Sequence, residues 1–381
     1  MQVHLSDDKR SNVHLINENY DYLYEQLITY IGNKRALLDF IGNGIAVVKN
    51  RLNKDKISTF DVFSGSGVVA RYLKQHSSLV IANDIEKYSY IINSCYLSNK
   101  ESLDINRLKE IYEDIKFRLD IMTLSEGIIY KHYAPKDENK ISKDDRVFYT
   151  PRNAKYIDTA RQIIDELPAE IQCYFLAPLL SSASVHANTA GVFKGFYKNK
   201  ETGIGQYGGK NQDALTRILG DINLKFPVFS NFNCDYKVYQ QDSNKLANEI
   251  EEVDLAYLDP PYNQHPYGSN YFMLNVIAEY KEPKNISKVS GIPDNWNRSK
   301  YNKSRHAYNE LRDLVSKLKA KYILVSFNSE GFISLEDMIS MLKSFGKVDT
   351  LETKYNTFRG SRNLSSRNIH VKEYLYLLEK T

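Results

Sequence analysis

Cysteine is scarce in this chain. Cys95, Cys173 and Cys234 are the only three among 381 residues, odd in number, widely separated and without metal-type spacing. That argues against a disulfide framework and a thiolate zinc site, and it fits a reducing compartment. Long apolar runs are missing as well: no segment reaches the ~20 residues needed to cross a bilayer. The opening MQVHLSDDKRSNVHL is polar and charged, without the apolar core of a secretory signal. A soluble cytoplasmic protein with no membrane partner is expected. Charge of one sign is nearly absent, since 51 Lys and Arg face 47 Asp and Glu for a net +4. Affinity for a polyanion therefore has to come from local clusters. No histidine cluster suggests a metal, and His132 and His186 read as hydrogen-bonded structural residues.

Tyrosine is abundant instead, at 29 residues; this reads as compositional bias, so only clustered aromatics carry weight. The length suits one main unit with a smaller lobe inserted in it. Short apolar segments bounded by turn residues predict strands over 59–64, 79–83, 236–240, 254–259, 321–327, 346–351 and 371–378. Helical periodicity predicts helices over 33–48, 67–75, 86–98, 105–120, 153–167, 171–184 and 309–318. The alternation gives an α/β fold, with a mostly parallel sheet covered on both faces. The helix-rich stretch 99–235 contains the Gly- and Lys-rich GVFKGFYKNKETGIGQYGGKNQ and reads as the second lobe, between 1–98 and 236–381.

Three short stretches carry chemistry. The first strand delivers DVFSGSG, Asp61 to Gly67, into a helix. Gly65 and Gly67 let the backbone turn tightly beside a ligand, and free amides at a helix start attract negative charge. Such a turn alone is weak, because many strand-to-helix joints need glycine. The next strand closes on Asp84, an acid placed to accept ribose hydroxyls or to cap the helix after it. Third is Asp259-Pro260-Pro261-Tyr262. Proline ends the strand and stiffens the chain beyond it, so the Asp259 carboxylate and Pro260 carbonyl can converge as acceptors for one amino group. Tyr262 adds a flat face for a planar heterocycle. The tetrad thus suits an exocyclic amine on an aromatic base.

YIGNK at 30–34, DVFSGSG, ANDI at 82–85, YQQD at 239–242, DPPY at 259–262 and FNSEG at 327–331 resemble, in this order, the motifs of the alpha group of N6-adenine DNA methyltransferases, which includes Dam and the FokI-type modification enzymes. FRGSRN at 358–363 and the closing EYLYLLEK extend the likeness over the chain outside 99–235. The resemblance implies a Rossmann-like S-adenosylmethionine-dependent methyltransferase fold with a seven-stranded sheet. It makes 1–98 and 236–381 the two parts of a catalytic domain and 99–235 a target-recognition lobe. It implies S-adenosylmethionine over the Asp61, Gly65 and Gly67 turn, its ribose on Asp84, its adenine amino group on Asp242, its methionine end near Tyr30 and Lys34, and Phe63 and Ile85 flanking it.

The expected activity is methyl transfer to N6 of an adenine flipped out of duplex DNA, in a bacterial restriction-modification system alongside an endonuclease, by a monomer or weak dimer. A covalent route is disfavoured because acid, not cysteine, precedes the proline pair. The alternatives are a methyltransferase acting on RNA adenine or on the cytosine amino group, and a catalytically silent DNA-binding regulator. Candidate DNA contacts are Lys194 and Lys198 in the lobe, His265, Tyr267 and Asn270 after the tetrad, Arg298 and Lys300 among aromatics, and Arg359 and Arg362 in the acid-free stretch 354–372. Each of these runs can also be an ordinary solvated surface.

Overall fold

In the computed structural model, residues 18–209, 212, 214–356 and 370–381 are described. Seven strands, β1 (Ile57–Asp61), β2 (Ser77–Asn83), β3 (Asp235–Tyr239), β4 (Val253–Leu258), β5 (Ala320–Asn328), β6 (Gly346–Asn356) and β7 (His370–Lys380), form one sheet in the order β3-β2-β1-β4-β5-β7-β6. All neighbouring pairs are parallel except those of β7, which runs antiparallel to both β5 and β6. The mostly parallel seven-stranded sheet read from the sequence is present.

The sheet grows outward from β1 in both directions, through β2 and β3 on one side and β4 and β5 on the other. At such a switch point the two connections leave on opposite faces and open a crevice beyond the carboxyl ends of the central strands. β1 ends there on Asp61, opposite Tyr257 of β4, and β4 delivers Asp259 just past Leu258.

Both faces are covered, which explains why all six residues of β4 are buried. Leu255 and Tyr257 join one apolar cluster with Ile57, Val80 and residues of helices Leu38–Leu52, Val68–Lys74 and Lys87–Tyr96. Ala256 and Leu258 join the other, with Phe60, Ile323 and residues of helices Ser304–Lys317 and Leu335–Lys343. The first cluster runs on into the 99–235 stretch through Ile157 and Leu179. Helix Ala169–Val185 packs on Lys87–Tyr96, and the hydroxyls of Tyr174 and Ser98 lie 3.0 Å apart. The inserted stretch therefore shares its core with the sheet.

Local differences from the sequence reading have simple causes. The helix expected over 33–48 begins as a tight turn, Arg35–Leu37, and continues as Leu38–Leu52, with Asn53 in the left-handed region as its cap. Leu335–Lys343 is a helix that periodicity over a longer window missed. It is nine residues long, capped by Ser334, whose hydroxyl accepts the Asp337 amide, and it buries only Met338, Met341 and Leu342. Among the described residues no helix is long and apolar enough to cross a membrane.

One buried acid ties the crevice walls together. Glu86, 2% exposed, accepts hydrogen bonds from the side-chain amides of Asn275 and Asn297, while Asn275 Oδ1 accepts the Tyr88 amide. This joins the helix after β2 to helix Phe272–Glu279 and to the loop at 297. Gly268 lets them close, since a Cβ there would sit 2.4 Å from the Asn297 carbonyl oxygen. Burial, with the Asp84 carboxylate adding to it, pushes Glu86 up to about 7 against the opposing effect of the two asparagines. The folded acid thus holds its proton to a higher pH than the unfolded one, and this group makes stability rise as pH falls from about 7 toward the ordinary carboxylate range. For Glu86→Gln, the stability difference from wild type should change in favour of the variant by up to about 3 kcal/mol between pH 5 and pH 8. Urea unfolding at several pH values measures it, and parallel curves for the two proteins would remove Glu86 from this role.

Candidate active site

The glycine turn is built against the segment at 30–34. Gly65 has φ +50°, and a Cβ on it would lie 3.0–3.2 Å from the Tyr30 ring. Gly67, at φ +74°, starts helix Val68–Lys74. Asp84 locks the turn from the end of β2: its Oδ2 accepts the Gly65 amide at 2.8 Å and its Oδ1 the Glu86 amide at 3.0 Å. Burial raises its carboxyl, and those amides pull the other way. Each carboxylate oxygen has two acceptor sites, so capacity for a hydroxyl remains.

Asp61 is the unusual member. Its side chain is 1% exposed; neither oxygen makes a hydrogen bond of good geometry, and only the backbone amides of Phe63 and Ala70 lie near enough to favour its charged form. Burial, with the Asp259 and Asp84 carboxylates adding to it, drives its affinity for a proton well up. A desolvated carboxylate on a pocket wall calls for a cation or a donor from a ligand.

The tetrad lies across the same crevice. Asp259 Oδ1 stands 3.3 Å from Lys34 Nζ, and that ammonium sits 2.7 Å from Glu373 Oε1. Glu373 Oε1 also accepts the Ser326 hydroxyl at 2.9 Å. Loss of water raises Asp259 to about 6; Lys34 opposes this and Glu373 adds to it. Burial alone would depress Lys34, but Asp259 and Glu373 together hold it well above the ordinary lysine value. The Tyr262 ring meets Phe327 edge to face, centroids 6.0 Å apart, and its carbonyl accepts the Phe332 amide at 3.1 Å. This fastens the end of DPPY to the FNSEG segment after β5.

One open pocket connects these parts. Tyr30, Lys34, Asp61, Phe63, Gly65, Asp84, Ile85 and Asp242 all line it, as do Asp259 and Pro261 of the tetrad. Of the sequence-derived cofactor set only Gly67 stands behind the wall, shaping the turn. Asp242 also caps helix Ser243–Leu246 by accepting the Lys245 amide. Glycine at 65, which leaves the turn open to a close approach, and the buried Asp61 carboxyl without an ion-pair partner on the pocket wall fit S-adenosylmethionine, a nucleoside carrying an ammonium and a sulfonium. Sequence reasoning missed Glu373, Glu86, Tyr257 and Asn297. Glu373 opens the apolar run EYLYLLEK, and nothing in that run separates a buried acid from a solvated strand end.

The residues proposed for DNA separate into groups. Tyr267 lines the pocket, with its ring stacked on Tyr30 at 5.0 Å, and Arg298 lines it too. Arg298 lies over the Trp296 ring at 4.2 Å and donates to the Asp294 and Trp296 carbonyls. Lys194 and His265 are both exposed and meet at 3.5 Å, bringing the lobe to the loop after the tetrad. Lys198 lies 4.7 Å over the Phe196 ring and donates to the Val289 carbonyl. Lys300 is paired with Glu310 at 2.9 Å, which offsets its charge. Asn270 departs from the expectation. It is 5% exposed, held in the short helix Tyr267–Asn270 with its carbonyl accepting the Phe193 amide, so its side chain is withdrawn from the surface. Arg359 and Arg362 lie outside the described residues.

Comparison with known proteins identifies the family. The family model for D12 class N6 adenine-specific DNA methyltransferase matches residues 30–341. The type II methyltransferase M.NlaIII of Neisseria lactamica is 32% identical over 362 residues, spanning 93% of this chain and 100% of that protein. M.CviAII of Paramecium bursaria Chlorella virus 1 is 26% identical, spanning 92% and 98%. M.FokI of Planomicrobium okeanokoites is 27% identical over 92% of this chain but only 52% of its own length. The matched stretch takes in both the glycine turn and the tetrad, and on that ground the chain belongs to the D12 class N6 adenine-specific DNA methyltransferases.

Proposed function

We propose that this DNA adenine methyltransferase takes its methyl group from S-adenosylmethionine, acts on an adenine rotated out of duplex DNA, and serves in the cytoplasm as the modification partner of a restriction endonuclease. The observation that carries the reading is the shared pocket: the turn, with its buried Asp61, and the tetrad acid Asp259 line one space.

When bound, the cofactor supplies an electrophilic methyl carbon on a sulfonium. Asp61 would hold its ammonium end, Asp84 its ribose hydroxyls and Asp242 its adenine amino group. The target amine is a poor nucleophile because its lone pair is delocalised into the ring. Asp259 Oδ2 and the Pro260 carbonyl accept its two hydrogens, drawing the nitrogen toward tetrahedral geometry and freeing the pair for in-line attack. With the cofactor bound, the amine's electron pair would form the new N–C bond as the sulfonium's bond to carbon gave its pair to sulfur, and Asp259 would take the surplus proton from nitrogen and pass it to water. Rotating the base out of the duplex costs about a few kcal/mol, which stacking on Tyr262 partly offsets. Lys194, Lys198, His265 and Arg298 bear on the DNA backbone around the flipped base, and the 99–235 stretch reads the sequence.

Labelled cofactor, a random duplex library and single-molecule mapping of modified bases test the reading. N6-methyladenine in one sequence context is expected; methylcytosine, modified RNA only, or binding without turnover would select the alternatives. Asp259→Ala should keep cofactor affinity within about threefold while single-turnover transfer falls by at least about a thousandfold. Because Asp259 must be ionised to accept, transfer should decline as pH drops through about 6. Asp61→Asn removes the carboxyl that would hold the cofactor's ammonium: cofactor affinity measured by calorimetry should fall about ten- to a hundredfold. Unchanged affinity would take Asp61 out of the cofactor site.

A further inference from the structure

We propose that Glu373 is a positioning residue for methyl transfer, acting through Lys34 to keep Asp259 out of a full ion pair and so a stronger acceptor for the target amine. The inference rests on the reading of Asp259 as the acceptor of the target amine.

The geometry is asymmetric. The Lys34 ammonium lies 2.7 Å from Glu373 and 3.3 Å from Asp259, so its closer partner is the acid that does not face the target base. Lys34 is 6% exposed and Glu373 3% exposed, which keeps water from screening either charge. The Ser326 hydroxyl, 2.9 Å from the same Glu373 oxygen, fixes the carboxylate in place. A buried lysine with Asp259 as its only counter-ion would close into a full ion pair and neutralise the acid that has to draw on the amine. With two carboxylates around one ammonium the cluster carries a net −1, and Lys34 holds Asp259 through Oδ1 while Oδ2 is left for substrate.

The topology explains why this residue reaches the site. β7 runs antiparallel to β5, so its early residues lie beside the carboxyl end of β5; Glu373 pairs in register with Asn328 there. The parallel strands end on that same edge, where Asp259 emerges. Charged and titratable groups facing Asp259 are Lys34 from the 30–34 segment, Glu373 from β7, Asp61 from β1, Tyr257 from β4, and Tyr262 and Tyr267 from the tetrad and the helix after it. Glu373 raises the proton affinity of Asp259 and Lys34 lowers it, so removing the Glu373 charge makes Asp259 the weaker base.

The test compares the full chain with its Glu373→Gln, Glu373→Asp and Asp259→Ala variants in single-turnover methylation of a duplex carrying the mapped site, from pH 5 to 9, with cofactor affinity and thermal unfolding measured alongside. For Glu373→Gln, transfer at pH 7.5 should fall at least about tenfold, cofactor affinity should stay within about threefold, and the acid limb of the rate profile should move to lower pH. Glu373→Asp, which keeps the charge on a shorter arm, should recover part of the rate and the wild-type limb. A Glu373→Gln rate and profile equal to wild type would overturn the inference. So would a rate loss with an unmoved limb that only tracks lost folding or lost cofactor binding. If Glu373→Gln does not fold, the limb of Glu373→Asp and its rate decide by the same criteria. Turnover retained by Asp259→Ala would instead overturn the assignment of Asp259 itself, whatever the Glu373 variants do.

Discussion

Asp61, Asp84 and Asp259 line one crevice, and the Lys34 ammonium on its wall bridges Asp259 to Glu373 behind it. Like charges drawn together out of water repel, and each loses hydration. The fold offsets this unevenly. Asp84 is satisfied by two backbone amides, and Asp259 and Glu373 share a lysine, but Asp61 has no ion-pair partner among the described residues. Asp61 is thus the carboxyl on this wall that burial leaves most ready to take a proton or a donor from a ligand.

The sheet order makes that convergence unavoidable. β1 and β4 are parallel neighbours, so Asp61 and the segment that begins with Asp259 leave the sheet at one edge. β2 ends on the same edge with Asn83, just before Asp84. The antiparallel β7 adds an acid there from its beginning, not its end. Rigid surroundings then hold the crevice: Pro260 and Pro261 restrict the tetrad, and the hydroxyl of Tyr271 accepts the Ile31 amide while that of Tyr267 donates to the Ile31 carbonyl. The loop beyond the tetrad is thereby clamped to the segment that carries Tyr30 and Lys34. A 30–34 segment pinned at both backbone groups of one residue presents its lysine with little freedom, which suits an enzyme whose chemistry depends on placing one amine against one methyl carbon.

The local parts of this arrangement are legible in the sequence. Strand-ending prolines, glycines at positive φ and an acid after the second strand are dictated by neighbours a few residues away, so the turn, Asp84 and the tetrad can be read off the chain. The family's motif order then supplies Tyr30, Lys34 and Asp242. Side-chain availability is less legible. Asn270 and Arg298 sit in similar polar, aromatic-rich sequence, yet one is buried against Phe193 and the other lines the pocket, because helix Tyr267–Asn270 folds back against the lobe.

The sequence by itself determined the alternation of strands and helices, the sheet class, the methyltransferase family and the residues whose roles are local. Tertiary structure alone decided that the 99–235 stretch shares its core with the sheet, that Glu86 welds two helices over the end of β2, and that Glu373 faces Lys34 across 339 positions of chain. The reason lies in the range of the forces. Backbone stereochemistry and periodic burial act over a few residues and leave a mark in the sequence, whereas the partner of a buried charge is chosen by strand order and direction.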